Sequence, residues 1–431
     1  MRFFFGDELP IEVKAWDGST LGPKQGDARL VIRSPEALRR LLTAPGEVGL
    51  GRAYVAGELD IEGDIYAALQ VRDIVAEERE TDDLGLGVKG WLHAFRSAAD
   101  LHLVGRPPAP PPEEAHLGGL RHSLRRDARA IQHHYDVSND FYRLVLGPTM
   151  TYSCAYFSHE GLGLDDAQTA KYDLICRKLG LRPGMRLLDV GCGWGGMALH
   201  AARHYGVEAV GITLSPQQRD LAIKRVAAAG LGNRIQIRLQ DYRQLGNESY
   251  EAISSIGMFE HVGRTHLAEY FEAIVRLLEP GGRFLNHGIT RRAGKYSPRK
   301  KTFATSFVFP DGELHEVGAV VSTMQQQQQL EVRDVESLRE HYGKTLRFWV
   351  DNLESNWSRA VELSGPGRAR IWRLYMAASA LNFEARRTYI HQVLAVRPDG
   401  RGGSGMPLTR GDWLGAHAPA DGVLPGTKHL V

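Results

Sequence analysis

Leu187-Leu188-Asp189-Val190-Gly191-Cys192-Gly193-Trp194-Gly195-Gly196 is the stretch whose reading decides the fold. An apolar run ends in an acid and passes into glycines at alternate positions. Glycine adopts backbone angles that side chains forbid, so the loop can turn sharply and let a ligand approach the main chain. Met197 to His204 read as a helix whose first amides would face that ligand. The spacing is GxGxG, and a purely structural tight turn is the plain alternative. Asp189 separates the ligand classes. A carboxylate there would repel a pyrophosphate, but it could accept hydrogen bonds from a cationic amino-acid group or neutralise it. The reading favours S-adenosylmethionine over a dinucleotide and makes Asp189, Gly191, Gly193 and Gly195 candidate cofactor residues.

Working outward, apolar β-rich runs recur at 209–212, 235–237, 252–256 and 283–287, with helical stretches such as 216–229 and 266–278 between them. This alternation predicts βαβ units and an α/β, doubly wound parallel sheet. Each short apolar run suits a strand buried on both faces. Gly211-Ile212-Thr213-Leu214-Ser215-Pro216-Gln217-Gln218 closes one strand and opens the next helix, with Ser215 as N-cap and Pro216 at the first helical position. At the carboxyl ends of the strands, Thr213 and Gln218 would meet the ribose and amino-acid portions.

The 431 residues leave room for two or three domains. Composition is 43% hydrophobic and 24% charged, as in ordinary globular chains, which argues against wholesale disorder. No run of 18 apolar residues occurs, and the N-terminus turns acidic before any signal-like apolar stretch develops, so a cytoplasmic protein is expected. The three cysteines, Cys154, Cys176 and Cys192, form no CxxC, which gives a metal site no support. Residues 1–104 hold 12 Lys and Arg against 18 Asp and Glu, whereas the whole chain is at +2. This asymmetry suggests two modules and is too weak for nucleic-acid binding. We expect a smaller N-terminal α+β accessory or lipid-recognition domain over 1–104 and a Pro-rich linker over 105–119. A catalytic domain over 120–396 and a loosely ordered tail over 397–431 complete the division. The Gln325–Gln329 run reads as a continuation of a helix begun near Glu316.

Four further segments carry a recognisable pattern: 134–142 (HYDVSNDFY), 152–157 (YSCAYF), 255–263 (SIGMFEHVG) and 285–289 (LNHGI). With the glycine loop, they closely resemble the cyclopropane-fatty-acyl-phospholipid synthase family, which includes the mycolic-acid cyclopropane synthases, over about 120–396. Leu30 to Asp64 is similar to the N-terminal domain of full-length phospholipid-acting members. Residues 44–60 resemble an actinobacterial branch, some of whose members make the 10-methylene precursor of tuberculostearic acid. Asn286 and Gly288 depart from the leucine and threonine familiar in the family.

The resemblance implies a Rossmann-like S-adenosylmethionine methyltransferase domain with a helical cover. It implies a bicarbonate ion held by Cys154, Glu260, His287, Tyr342 and the backbone amide of Ile289. It assigns the cofactor to Tyr135, Tyr152, Ser153, Gly191, Thr213, Leu214, Gln218, Asp241, Tyr242 and Ile256. The implied reaction is methyl transfer to the cis double bond of a phospholipid acyl chain. The resulting carbocation must be kept from water until a base removes a proton. Ring closure gives a cyclopropane. A hydride shift followed by loss of a methyl proton gives a 10-methylene chain, which would imply a reductase partner. A non-catalytic cofactor- or lipid-binding protein is the alternative from another class, and a homodimer is compatible with the family. Since the acyl chain lies in a bilayer, the enzyme is expected to work peripherally on the inner face of the membrane. Basic runs at 291–301 and 121–129 are candidates to hold it there.

Overall fold

The computed structural model describes residues 10–24, 26–78, 106–115, 118–119, 123, 126–127, 137–294, 301–327 and 329–411. Tyr135, residues 79–105, 295–300 and 412–431, and most of 121–129 lie outside the described residues. The chain forms two compact units. One is drawn from Met1–His116, Arg299–Pro310 and Leu353–Leu381, the other from Leu117–Pro298, Asp311–Asn352 and Asn382–Val431.

The first unit has a four-stranded sheet. Strands β1 (Glu12–Lys14), β2 (Thr20–Leu21), β3 (Ala28–Ile32) and β4 (Leu59–Gly63) lie in the order β2-β1-β3-β4. Only β1 and β3 run parallel. Helices Glu36–Thr43 and Glu47–Val55 connect β3 to β4. Ser34 Oγ accepts the Glu36 amide at 3.1 Å, satisfying a donor at the start of the first helix. Val13, Ile32, Ala37, Leu38, Ala53 and Leu59 form the unit's core. A second cluster joins Val55 to Phe303, Phe307, Val308 and Ile371, which explains why these later segments belong to this unit.

The Pro-rich segment expected as a linker is fastened to this unit over its described part. Ala109 carbonyl accepts from Arg40 Nη1 at 2.7 Å. The buried Glu114 carboxylate receives Arg52 Nε and Nη2, both at 2.7 Å. Proline prevents a helix but leaves its carbonyls and the acids after it free to bind.

The second unit holds the large sheet. Strands β5 (Arg186–Val190), β6 (Glu208–Thr213), β7 (Ile235–Leu239), β8 (Tyr250–Ile256) and β9 (Leu278–Arg291) follow the five expected apolar runs. Strands β10 (His315–Glu316), β11 (Glu331–Ser337) and β12 (Thr388–Val396) complete it, in the order β11-β12-β9-β8-β5-β6-β7 with β10 beside β9. Strands β5 to β9 are parallel, as expected. β12 enters antiparallel to β9 and β11 antiparallel to β12, a feature the sequence reading did not contain. The helix Val317–Gln326 stops inside the glutamine run instead of continuing through it. Leu330 is buried and its amide turns back to the Gln327 carbonyl at 2.7 Å, so the chain is already entering β11.

Residues 397–411, expected as a loose tail, are tied to the sheet. The Arg397 amide donates to Gly282 carbonyl at 2.9 Å, its guanidinium caps Leu278 carbonyl at 2.6 Å, and Arg410 pairs with Asp334.

In the first unit, Asp60 gathers two guanidinium groups. Arg370 donates to both carboxylate oxygens at 3.0 and 3.2 Å, and Arg33 to one at 2.8 Å. Arg33 is half exposed and contributes little, but Arg370 lies against the Tyr54 ring at 5.0 Å and is largely shielded from water. Asp60→Ala would strand that guanidinium. We expect a loss of about 3 kcal/mol, read by chemical denaturation, with Asp60→Asn intermediate.

Candidate functional site

The order β6-β5-β8 reverses direction beside β5, and the cleft lies at the carboxyl ends of these strands. About 1140 Å³, counting its open mouth, is free of protein atoms. That suits a nucleoside-sized ligand. The glycine loop forms one wall. Gly191, Gly193 and Gly195 have φ of 78°, 53° and 79°, a left-handed conformation that explains their alternate spacing. Gly191 and Gly193 line the cleft, whereas Gly195 sits behind it and starts the helix Gly196–Tyr205.

Asp189, at the last turn of β5, is 2% exposed and accepts from Ser254 Oγ at 2.8 Å. Burial pushes its carboxyl up to about 6. A cationic group in the cleft would offset that cost, the property expected of an amino-acid-bearing ligand. Thr213 and Gln218 both line the cleft and are held by one hydrogen bond, Thr213 Oγ1 to Gln218 Oε1 at 2.7 Å. Leu214, Tyr242 and Ile256 also line it, as do Tyr152 and Ser153 from the opposite wall.

Asp241 reaches the cleft with its carboxylate already engaged. Arg243 meets it through its amide and Nε, both at 2.9 Å, and through Nη2 at 2.7 Å. Arg243 also joins Asp127 at 2.9 Å and itself lines the cleft, a residue the sequence reading missed. Arg126 pairs with Asp311 at 2.7 Å and Arg291 with Glu316 at 2.9 Å. These two members of the basic runs are therefore engaged in ion pairs.

A band of aromatic rings leads from the glycine loop to the expected catalytic residues. Trp194 lies 4.9 Å from Tyr142, which lies 6.2 Å from Tyr152; Tyr152 lies 5.3 Å from Trp349, and Trp349 lies 6.1 Å from Tyr342. The helix Asn139–Leu146 supplies Tyr142, and the helix Arg339–Ser355 supplies Tyr342 and Trp349. Asn352 fastens the two, donating to Val145 carbonyl at 2.9 Å. These elements are the helical cover.

The five expected catalytic residues form two groups. Glu260 Oε1 accepts the Ile289 amide at 2.7 Å, and Gln392 Nε2 donates to His287 Nδ1 at 3.1 Å. That bond leaves the imidazole proton on Nε2. Among the described residues, His287 Nε2 and Glu260 Oε2 are buried without a hydrogen-bond partner. Burial pushes Glu260 up to about 7 and holds His287 well below its usual range, assisted by the charges of Lys171 and Lys178. The second group is Cys154 and Tyr342, which share the Leu338 carbonyl: Cys154 Sγ lies at 3.8 Å and the Tyr342 amide at 3.2 Å. Burial pushes the Cys154 thiol far up, so it is a donor and no nucleophile. Register connects the groups, since His287 pairs with Gln392, and Gln392 with Glu336 two residues before Leu338. A neutral imidazole N–H, a carboxyl pushed up to about 7 and a thiol are the kinds of donor that a small oxyanion takes. The Ile289 amide, expected to join this set, is spent on Glu260.

Gly288 faces Phe259, and a Cβ there would stand 2.2 Å from its ring. The ring occupies the space that the familiar threonine would need.

The chain matches a family model described as mycolic acid cyclopropane synthetase over residues 122–393. It is 44% identical over 409 residues to the probable fatty acid methyltransferase Rv3720 of Mycobacterium tuberculosis, covering 93% of this chain and 94% of the relative. It is 32% identical to the cyclopropane-fatty-acyl-phospholipid synthase of Escherichia coli over 86% of this chain and 88% of that protein. The tuberculostearic acid methyltransferase UfaA1 of M. tuberculosis is also 32% identical, over 90% of this chain and 88% of its own length. Among solved structures, the mycolic acid cyclopropane synthase CmaA1 complexed with SAH and CTAB superposes with a TM-score of 0.59 at 35% identity. It covers 62% of this chain and 97% of its own.

The raised Glu260 carboxyl has a direct consequence for stability. The native state holds this proton more tightly than the unfolded chain does, so stability falls as pH rises from about 4.5 to about 7. Glu260→Gln removes the ionisation. The variant should gain up to roughly 3 kcal/mol over the wild type at pH 8 and little at pH 4. Thermal unfolding at the two pH values tests this, and parallel pH profiles would contradict it.

Proposed function

This chain belongs to the mycolic acid cyclopropane synthetase family and is an S-adenosylmethionine-dependent fatty-acid methyltransferase of cyclopropane synthase type. From that premise we propose that it adds a one-carbon unit to the cis double bond of a phospholipid acyl chain and closes a cyclopropane ring. The observation that carries this reading is the pair of buried atoms Glu260 Oε2 and His287 Nε2, which have no hydrogen-bond partner among the described residues, with Glu260 flanked in sequence by the cleft residues Met258 and His261.

An isolated alkene is a poor nucleophile, so the reaction needs a strong electrophile and a carbocation kept dry. Asp189 would hold the amino-acid end of the donor, and Tyr152, Ser153, Thr213 and Gln218 would fix its orientation. Tyr142 and Trp349 are buried and Tyr152 packs against both; rings so placed would keep water out and could offer a face to a cation. His287 Nε2–H and Glu260 would hold bicarbonate, with Cys154 and Tyr342 on its other side. Bound there, bicarbonate would supply the base for the departing proton. The same residues serve loss of a methyl proton after a hydride shift, which yields the 10-methylene chain.

The substrate's chemistry places the enzyme peripherally on the inner face of the membrane. Among the described residues no helix is long and apolar enough to cross a membrane. We assign the first unit to lipid recognition.

Oleoyl-phospholipid vesicles incubated with S-adenosylmethionine should gain about the mass of one CH₂ per modified chain, with high-field cyclopropane protons in the NMR spectrum. Vinylidene protons would move the enzyme to the 10-methylene product. Absence of a mass gain with donor binding intact would overturn the catalytic reading. Bicarbonate-free buffer should slow turnover reversibly. Glu260→Gln and His287→Ala should each lower kcat by about 10²-fold or more while leaving donor binding measurable.

A further inference from the structure

Lys171 lies behind the donor cleft on the helix Leu164–Leu179, with no solvent exposure. No carboxylate pairs with it among the described residues. Its one hydrogen bond among the described residues runs from Nζ to Ser153 Oγ at 2.7 Å, and Nζ stands 4.2 Å from the centroid of the Tyr172 ring. Ser153 and Tyr172 both line the cleft. A lysine sealed in this way has a large cost for its charge, and both of these contacts lead to the ligand wall.

The groups around it leave the charge poorly compensated. Asp189 on β5 and Cys154 beside Ser153 favour the ammonium form, but Asp189 is already held by Ser254, and the thiol is neutral. His287 on β9 and His200 on the helix Gly196–Tyr205 both feel the lysine as a repelling charge. Burial accordingly pushes Lys171 down to about 7. A proton on Nζ can therefore be gained or lost by a modest change in the cleft.

S-adenosylmethionine and its product differ at one atom in charge: the donor carries a sulfonium, and the demethylated product a neutral thioether. We propose that Lys171 is a positioning residue which, through Ser153, couples binding of the sulfonium to release of its own proton and so distinguishes donor from product. Protonated Lys171 donates to Ser153 Oγ. After proton loss, Nζ accepts from the serine hydroxyl instead, so the bond survives with its direction reversed and no uncompensated cation remains beside the sulfonium. Methyl transfer removes the sulfonium charge, and Nζ regains a proton beside the neutral product. This inference rests on the use of S-adenosylmethionine and not on the identity of the acyl product.

Calorimetric titration of the whole protein with S-adenosylmethionine and with S-adenosylhomocysteine, in two buffers of different ionisation enthalpy, tests it. Both ligands carry the same ammonium, so any proton shed by Asp189 cancels in the difference between them. Near pH 7 the donor should release more protons than the product. Its relative affinity should rise by about tenfold between pH 6 and pH 8, the most that one site with this pKa can give. Lys171→Met should abolish the difference and flatten its pH dependence, and Lys171→Arg should also flatten it because arginine keeps its charge. Glu260→Gln should leave the difference in place, which separates Lys171 from the other group near neutrality. Equal proton release for the two ligands in the wild type overturns the proposal without requiring any variant to fold. A difference that persists in a folded Lys171→Met protein, or disappears in Glu260→Gln, overturns it as well.

Discussion

The site is organised around ionisable groups that the fold keeps from water without giving each a full counter-charge. Asp189, Lys171 and Glu260 are all buried, and burial displaces each toward its neutral form. In water such groups would be charged and hydrated. Behind the cleft, only a few fixed hydrogen bonds stabilise them: Ser254 to Asp189, Lys171 to Ser153, and the Ile289 amide to Glu260. A cleft wall of this kind favours a ligand that carries positive charge in one part and apolar surface in another. It also holds protons loosely enough for them to move during a reaction cycle.

The parallel half of the fold was legible because its signals are local. Five apolar runs became β5 to β9, and the alternate glycines became a loop whose backbone requires them. The glycine loop and Asp189 could be read from the chemistry of one short stretch. The catalytic residues could not. Glu260, His287 and Cys154 are each common residue types in unremarkable settings, and it was the resemblance to a known family that brought them together. For two of them the structure adds a physical argument: Glu260 Oε2 and His287 Nε2 are buried without partners among the described residues, a cost that a bound ligand would relieve.

What the sequence did not disclose depends on distant contacts. Lys171 sits in the helix Leu164–Leu179, and nothing in that stretch of sequence says that Nζ turns inward to Ser153. Gln392 comes from β12, a strand that enters antiparallel more than 100 residues after β9 and presents its amide to His287. The Pro-rich segment reads as a spacer because proline signals extended chain. Its attachment through Ala109 and Glu114 depends on arginines some 60 to 70 residues earlier.

Strand β9 links these observations into one design. On one edge it pairs with parallel β8, which leads into the cofactor cleft; on the other it pairs with antiparallel β12. A central strand satisfies its backbone on both edges and therefore holds its side chains with little freedom. His287 and the Ile289 amide lie on this strand, two residues apart, so the sheet itself fixes His287 and, through the Ile289 amide, Glu260. Cys154 and Tyr342 come from the loop and helix that cover the cleft, joined through the Leu338 carbonyl just beyond β11. The fixed half suits proton transfer, where angstrom errors are costly. The covering half, built from packed aromatic rings, is where differences in acyl-chain shape would be accommodated.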